Sequence, residues 1–334
     1  MALASALAAT WNVDLYFPFA ASHDELRTLL PAFGASPRIR QAEAVPGGRV
    51  AGLVRRVRLD RAYDAVIVQS PHVPRATWCP RAYALCEFPF TTALTMGDRA
   101  RLNTFGTVIA NSRFTAGWIA RRWGRHAAVL HPPVRSVTPL AKRPYILAVG
   151  RFTGGGRSKR QEEMVRMFRR LTERGLRDWE LHLAGFAHDR AFLDRIRADA
   201  AGLPVHVHRD LSRPALDELY GYSSVFWHAT GVGVDPDREP ERMEHFGIAT
   251  VEAMSAGAVP VVIDGGGQPE IVAHGVSGLL WRTFEECEDL TWSLIRDDRT
   301  RARMAEAAAE RARNFDFPVF AQRVRELFDG RSAL

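Results

Sequence analysis

The second half of the chain alternates short, mainly apolar runs with longer stretches whose apolar residues recur at helical spacing. The runs are Tyr145–Val149, Glu180–Ala184, Val205–His208, Val225–Trp227, Val259–Ile263 and Gly278–Trp281. Between them the spacing predicts helices over Glu162–Leu171, Ala191–Ala200, Ala215–Tyr220, Phe246–Ala256 and Pro269–Ala273. Three more follow over Glu285–Asp297, Arg301–Asn314 and Val319–Phe328. Strands that are apolar throughout are buried on both faces, as in a parallel sheet covered by helices. Ligands of such sheets lie beyond the carboxyl ends of the strands.

The first half is a less regular version of the same pattern. Its expected strands are Val13–Phe17, Ala65–Val68, Ala82–Cys86, Val108–Ala110 and Ala127–Leu130. The opening M-A-L-A-S-A-L-A-A-T reads as a helix feeding the first of these strands. It has no basic residue ahead of its apolar stretch, so it is not read as an export signal. Pro132, Pro133, Pro139 and Pro144 punctuate a linker. The expected division is a first domain over 1–138, a second over 139–316 and a terminal helix over 317–334.

One segment carries the candidate chemistry. Met243–Gly257 reads M-E-H-F-G-I-A-T-V-E-A-M-S-A-G, with Glu244 and Glu252 eight positions apart. Phe246, Gly247 and Ile248 are expected to open a helix, whose unpaired N–H groups and partial positive charge suit an anionic ligand. Glu252 falls on the flank of the packed face, where a carboxylate is costly unless it binds something, and ribose hydroxyls are suitable donors. By itself this spacing of two acids is common in helices. Its flanks are more specific: V-P-V-V-I-D-G-G-G-Q-P-E-I-V from Val259, G-V-S-G-L-L-W from Gly275, Y-I-L-A-V-G-R-F from Tyr145 and V-F-W-H-A-T-G from Val225.

In this order and spacing the chain resembles the retaining, nucleotide-sugar-dependent glycosyltransferases of the GT-B fold, family 4, from about Asn111 to Phe328. The resemblance implies an α/β fold of two Rossmann-like, doubly wound domains facing a cleft, with the terminal helix crossing back to the first. Family members begin with a strand and a Gly-rich loop, whereas this chain starts inside the helix. The expectation is either a start further upstream or a first sheet lacking one strand.

The resemblance also assigns roles. Glu244 matches the acid that contacts the donor sugar, and Glu252 the acid that holds the ribose. The amides of Phe246, Gly247 and Ile248, with the loop Gly265, Gly266 and Gly267, would line the sugar and distal phosphate. Arg151, just after Gly150, and Lys159 are expected to neutralise the leaving diphosphate, because cations at that point stabilise charge that grows in the transition state. Lys159 is preferred to Arg160 because the longer loop resembles that of one subgroup. His228 ends a strand and is expected to contact a sugar hydroxyl. Relatives carry a histidine two residues before a first-domain proline, where this chain has Glu87 before Pro89. Front-face displacement is implied. No D-x-D motif is suitably placed, so neither a metal nor another cofactor is expected.

Charge bears on the acceptor. Residues 1–140 carry 17 basic and 8 acidic side chains, a net of +9, against −2 for the remainder. A basic first half suits anionic lipid head groups, a pyrophosphate-linked acceptor or nucleic acid. Nucleic acid is the weakest option, since the basic residues are scattered rather than interleaved with stacking aromatics. The basic helix Arg113–His126 could lie on a membrane, although its aromatics more often pack on a sheet. The three cysteines are unclustered, which argues against a disulfide framework or zinc site and fits the cytosol. The expectation is therefore a cytoplasmic hexosyltransferase, in peripheral contact with the membrane, acting on a glycolipid, polysaccharide or glycoconjugate precursor. Its rivals are a catalytically weak sugar-nucleotide-binding subunit and an electrostatic membrane or nucleic-acid adaptor.

Overall fold

The computed structural model describes residues 2–15, 38–41, 51–155, 158–187 and 189–329. They fall into two compact units. One runs to Arg135 and takes up the chain again from Phe315; the other is Ser136–Asn314.

In the first unit, helix α1 (Ala2–Leu7) precedes strand β1 (Val13–Leu15), which pairs in parallel with β2 (Ile39–Gln41). Tyr16 and Phe17 of the expected first strand lie outside the described residues. Helix α2 (Ala51–Ala62) then leads into a parallel four-stranded sheet of β3 (Val66–Gln69), β4 (Ala82–Cys86), β5 (Thr107–Ala110) and β6 (Ala127–Val129), in that order. Helix α3 (Met96–Leu102) joins β4 to β5. Helix α4 (Arg113–Trp123) joins β5 to β6, capped by Ser112 Oγ, which accepts from the Thr115 amide. Its Ile119 and Trp123 are buried against the sheet, which agrees with aromatics that pack.

The second unit is built on one parallel six-stranded sheet, β12-β11-β10-β7-β8-β9. In chain order its elements are β7 (Arg143–Val149), α5 (Gln161–Glu173), β8 (Glu180–Gly185), α6 (Arg190–Asp199), β9 (Val205–Arg209), α7 (Arg213–Tyr222) and β10 (Ser223–His228). There follow α8 (Ile248–Ser255), β11 (Val259–Ile263), α9 (Gln268–Ile271), β12 (Leu279–Trp281), α10 (Phe284–Ile295) and α11 (Asp298–Ala312). Every residue of β10 and β11 is buried, as central parallel strands require. Helix α5 buries Met164, Val165, Met167, Phe168 and Leu171 on one stripe, over Leu181 and Leu183 of β8.

Lys142 fastens this unit together. Its partly buried Nζ donates to the carbonyls of Gly221 at 2.8 Å, Ser223 at 2.9 Å and Ala256 at 2.5 Å, so one cation ties the start of β7 to the carboxyl ends of α7 and α8. Burial pulls its amine down to about 8, against the preference of three carbonyl acceptors for the charged form.

The last helix, α12 (Phe317–Phe328), buries Phe320, Ala321, Val324 and Phe328 with Ala6, Tyr83, Ile109 and Leu130 of the first unit. Among the described residues, no helix is long and apolar enough to cross a membrane.

Candidate functional site

The carboxyl ends of three adjacent strands define the site: Gly150 follows β7, His228 ends β10, and the loop Asp264–Gly267 follows β11. At β7 the backbone is crowded. A Cβ on Gly150 would stand 2.7 Å from Lys159 Cγ, so the lysine stem lies directly over the glycine. Buried Gln161 donates from Nε2 to the Gly150 carbonyl at 3.2 Å and the Arg151 carbonyl at 3.1 Å, fixing the loop from behind.

Lys159 Nζ reaches Glu244 Oε2 at 2.7 Å, and His228 Nε2 lies 3.0 Å from the same oxygen. Burial would raise the Glu244 carboxyl, but the adjacent Lys159 charge and the His228 hydrogen bond outweigh it and hold the group well below the usual carboxylate range. Burial lowers the His228 imidazole, and Glu244 only partly offsets it, so the ring is neutral at pH 7. Glu244 is ionised, so the His228 proton belongs on Nε2, which leaves Nδ1 as an acceptor. That atom is buried and has no partner among the described residues.

Beside this triad the chain doubles back tightly. The Gly267 amide donates to the Glu244 carbonyl at 2.8 Å, and a Cβ on Gly266, at φ 61°, would collide with that carbonyl. Helix α8 starts at Ile248, two residues later than the spacing predicts. Gly247 has φ 121°, outside the helical region, and caps the helix instead. Phe246 is buried in the turn ahead of it, and Ile248 is 51% exposed. A Cβ on Gly247 would meet Gln268 Nε2 at 2.7 Å. Gln268 is fully buried, with neither amide atom partnered among the described residues.

Glu252 sits one turn into α8 and is 8% exposed. Its buried charge is matched within the protein: Arg213 Nη1 on α7 contacts Oε1 at 2.6 Å, and Arg213 Nε also contacts Asp217 at 2.8 Å. The cost argued from sequence is thus met partly by Arg213, a residue which that reasoning missed.

Lys159, His228 and Glu244 therefore come together, with Gly150 against the Lys159 stem and Gly266 against the Glu244 backbone; Phe246 and Gly247 follow Glu244 in the turn, and Gly265 lies against Met243. Arg151 is not part of the cluster; its side chain is exposed after β7. Arg160 turns elsewhere, to Glu163 at 3.2 Å and the Val232 carbonyl at 2.9 Å. Glu87, in the other unit, accepts from Gln69 at 2.8 Å.

Comparison with known proteins bears on the family and the fold. The family model of glycosyl transferases group 1 matches residues 134–311, more than half of the chain. The D-inositol 3-phosphate glycosyltransferase of Corynebacterium efficiens is 36% identical over 91 residues, which cover 27% of this chain and 22% of that protein. The chain is thus matched to about a fifth of the length of its curated relatives. Among solved structures, a glycosyltransferase from Rickettsia africae superposes with a TM-score of 0.74 at 16% identity, covering 98% of this chain and 93% of that one. Anabaena Alr3699/HepE, solved with UDP and glucose, superposes with a TM-score of 0.67 at 15% identity, covering 98% and 95%. The fold is α/β of the GT-B type, with two Rossmann-like units. The chain belongs to the group 1 glycosyl transferases.

Proposed function

We propose that the protein is a retaining glycosyltransferase that moves a hexose-type sugar from a nucleoside diphosphate sugar to a hydroxyl acceptor. The observation that carries this reading is the meeting of Lys159, Glu244 and His228 at the carboxyl ends of β7 and β10, beside the start of α8. A diphosphate needs a cation and amide donors, and a sugar needs a fixed carboxylate and a neutral acceptor. Those groups stand within one neighbourhood.

In this reading the amides of Phe246, Gly247 and Ile248 receive the distal phosphate and Lys159 neutralises the charge that grows on the leaving diphosphate, joined by Arg151 once donor binds. Glu244, kept ionised, accepts from sugar hydroxyls, and His228 offers Nδ1 as a further acceptor. Glu252 holds the ribose while Arg213 fixes its orientation. The departing phosphate oxygen takes the acceptor proton, so the protein supplies positioning and charge rather than a strong base. Neither a metal nor another cofactor has a step in this scheme.

The structures of Anabaena HepE with UDP and with UDP-glucose support a nucleoside diphosphate donor. The name of the Corynebacterium relative indicates a phosphorylated polyol acceptor. A net +9 in residues 1–140 suits such an anionic acceptor, whether free or lipid-linked, and with it a cytoplasmic protein at the inner face of the membrane. Thermal-shift measurements against nucleoside diphosphates, followed by transfer assays with the sugar forms of those that bind, test the proposal. Stabilisation by one diphosphate together with transfer supports it. Binding without turnover would support the weak-subunit reading instead, and no stabilisation by any of them would sink both.

A further inference from the structure

Three histidines and a glutamate lie on one face of the edge of the six-stranded sheet. In β8, Leu181 and Leu183 point into the core, so Glu180 and His182 occupy the opposite face. Parallel register sets His206 of the edge strand β9 opposite His182, and His208 follows it on the same face. We propose that Glu180, His182 and His206 form a binding site for a divalent transition-metal ion of the zinc class.

The ligand atoms are already gathered. Glu180 Oε2 lies 3.1 Å from His182 Nε2 and 3.0 Å from His206 Nε2, and one ligand atom from each of the three residues lies within 4.8 Å of the others. Around tetrahedral zinc, with bonds of about 2.0–2.1 Å, ligand atoms stand about 3.3 Å apart. Opening the cluster by a few tenths of an ångström makes room for the ion. Two imidazoles with one carboxylate oxygen suit zinc, cobalt or nickel better than magnesium or calcium, which prefer all-oxygen shells.

A supporting layer is also present. His182 is buried, and its other ring nitrogen, Nδ1, lies 3.0 Å from His208 Nε2. With Nε2 on the metal, Nδ1–H donates to His208, which fixes the tautomer and the ring plane as outer partners of metal-bound histidines do. Tyr145 packs on the other side of the His182 ring, with centroids 4.2 Å apart. His206 is 48% exposed, so the ion has a path from solvent and a fourth position for water.

This site is separate from the donor site. His182 precedes Gly185, at the carboxyl end of β8, by three residues, about 10 Å along an extended strand. Its consequence is structural: the ion would staple edge strand β9 to β8, and an edge strand otherwise presents unpaired backbone groups.

The test uses the full chain, stripped with a chelator and desalted, then titrated with cobalt(II) and afterwards with zinc(II). The expected result is one equivalent of cobalt with visible d–d bands, displaced by zinc, and a rise in Tm with zinc. His182→Ala risks the packing beside Tyr145, so the decisive variants are His206→Gln and Glu180→Gln, both at partly exposed positions. Each should lower cobalt affinity at least tenfold and reduce the zinc-dependent rise in Tm. No bands in the wild type, or a cobalt affinity in either variant equal to that of the wild type, would overturn the site and leave only a hydrogen-bonded cluster.

Discussion

Lys159 and Glu244, 85 positions apart in the chain, meet at 2.7 Å. The carboxylate holds the cation over the Gly150 backbone, at the point where the proposed donor diphosphate must lie. A diphosphate carries more charge than one carboxylate, so donor binding should shift Lys159 toward phosphate and release Glu244 toward sugar hydroxyls. Lys159→Ala is therefore expected to lower kcat/KM by about 10²–10³-fold, comparable to losing one preformed oxyanion donor. It should weaken nucleoside diphosphate more than nucleoside in calorimetric titration. Equal losses for the two ligands would show that Lys159 supports the fold rather than the phosphate.

Glu252 has two candidate partners, Arg213 within the protein and the ribose of the donor. If the ribose matters, Glu252→Gln removes most of the nucleoside affinity, whereas Arg213→Met weakens it less, by disturbing only the orientation of the carboxylate. Titration of a nucleoside into both variants separates the cases. Unchanged affinity in Glu252→Gln would leave the residue as the ion-pair partner of Arg213 alone.

Lys142 is expected to matter for stability and not for transfer. Lys142→Met leaves three carbonyls, at Gly221, Ser223 and Ala256, without their shared donor. The loss should be about 2–4 kcal/mol in urea unfolding, with nucleotide affinity retained in the folded fraction. A change below about 0.5 kcal/mol would mean that water replaces the ammonium at no cost.

Acid should destabilise the protein earlier than its carboxylates alone would require. Burial pulls His245 down from 6.5 to about 4; Glu244 and Glu241 oppose this, and Lys159 adds to it. His228, facing Glu244 and Lys159, is lowered in the same way. The unfolded chain takes up these protons as pH falls through 6.5 and the folded chain does not. For His245 stability is therefore lost between 6.5 and about 4, by at most about 1.4 kcal/mol per pH unit, and His228 adds to the loss below 6.5. Glu244 acts lower down: its folded value lies below the ordinary 4.5, so its contribution is complete above 4.5 and disappears as pH falls further. Urea midpoints measured from about pH 7.5 to 4.5 should begin to fall near 6.5, and His245→Gln should flatten that fall. A midpoint constant down to about pH 4.5 would contradict it.

How much of this was legible beforehand follows from where each signal lies in the chain. Val259–Ile263 was readable as a strand because a central parallel strand needs apolar side chains on both faces, and that requirement is local. The end of α8 was readable from Gly257, which adopts φ 78°. Its start was not, since the reason for a glycine at 247 lies outside the segment: a Cβ there would meet Gln268 and Ile271. Helix α3 is not among the elements the apolar spacing predicts, because its turns are mostly polar, although Thr95 and Asp98 form a local capping box. Glu244 and Lys159 were legible as motif positions, but their contact depends on two strand ends being neighbours. Arg213 was not legible: its partner lies 39 positions away, on another helix. The histidine cluster likewise needs the register of β8 on β9.

The most direct measurement follows a nucleoside diphosphate sugar, with an acceptor found by screening, in wild type and Lys159→Ala. Nucleoside diphosphate release and the anomeric proton of the product are monitored together by NMR. The expected result is a product with the anomeric configuration of the donor, formed by wild type and slowed about 10²-fold or more in the variant. Inverted configuration, or equal rates in the two proteins, would contradict the proposed site.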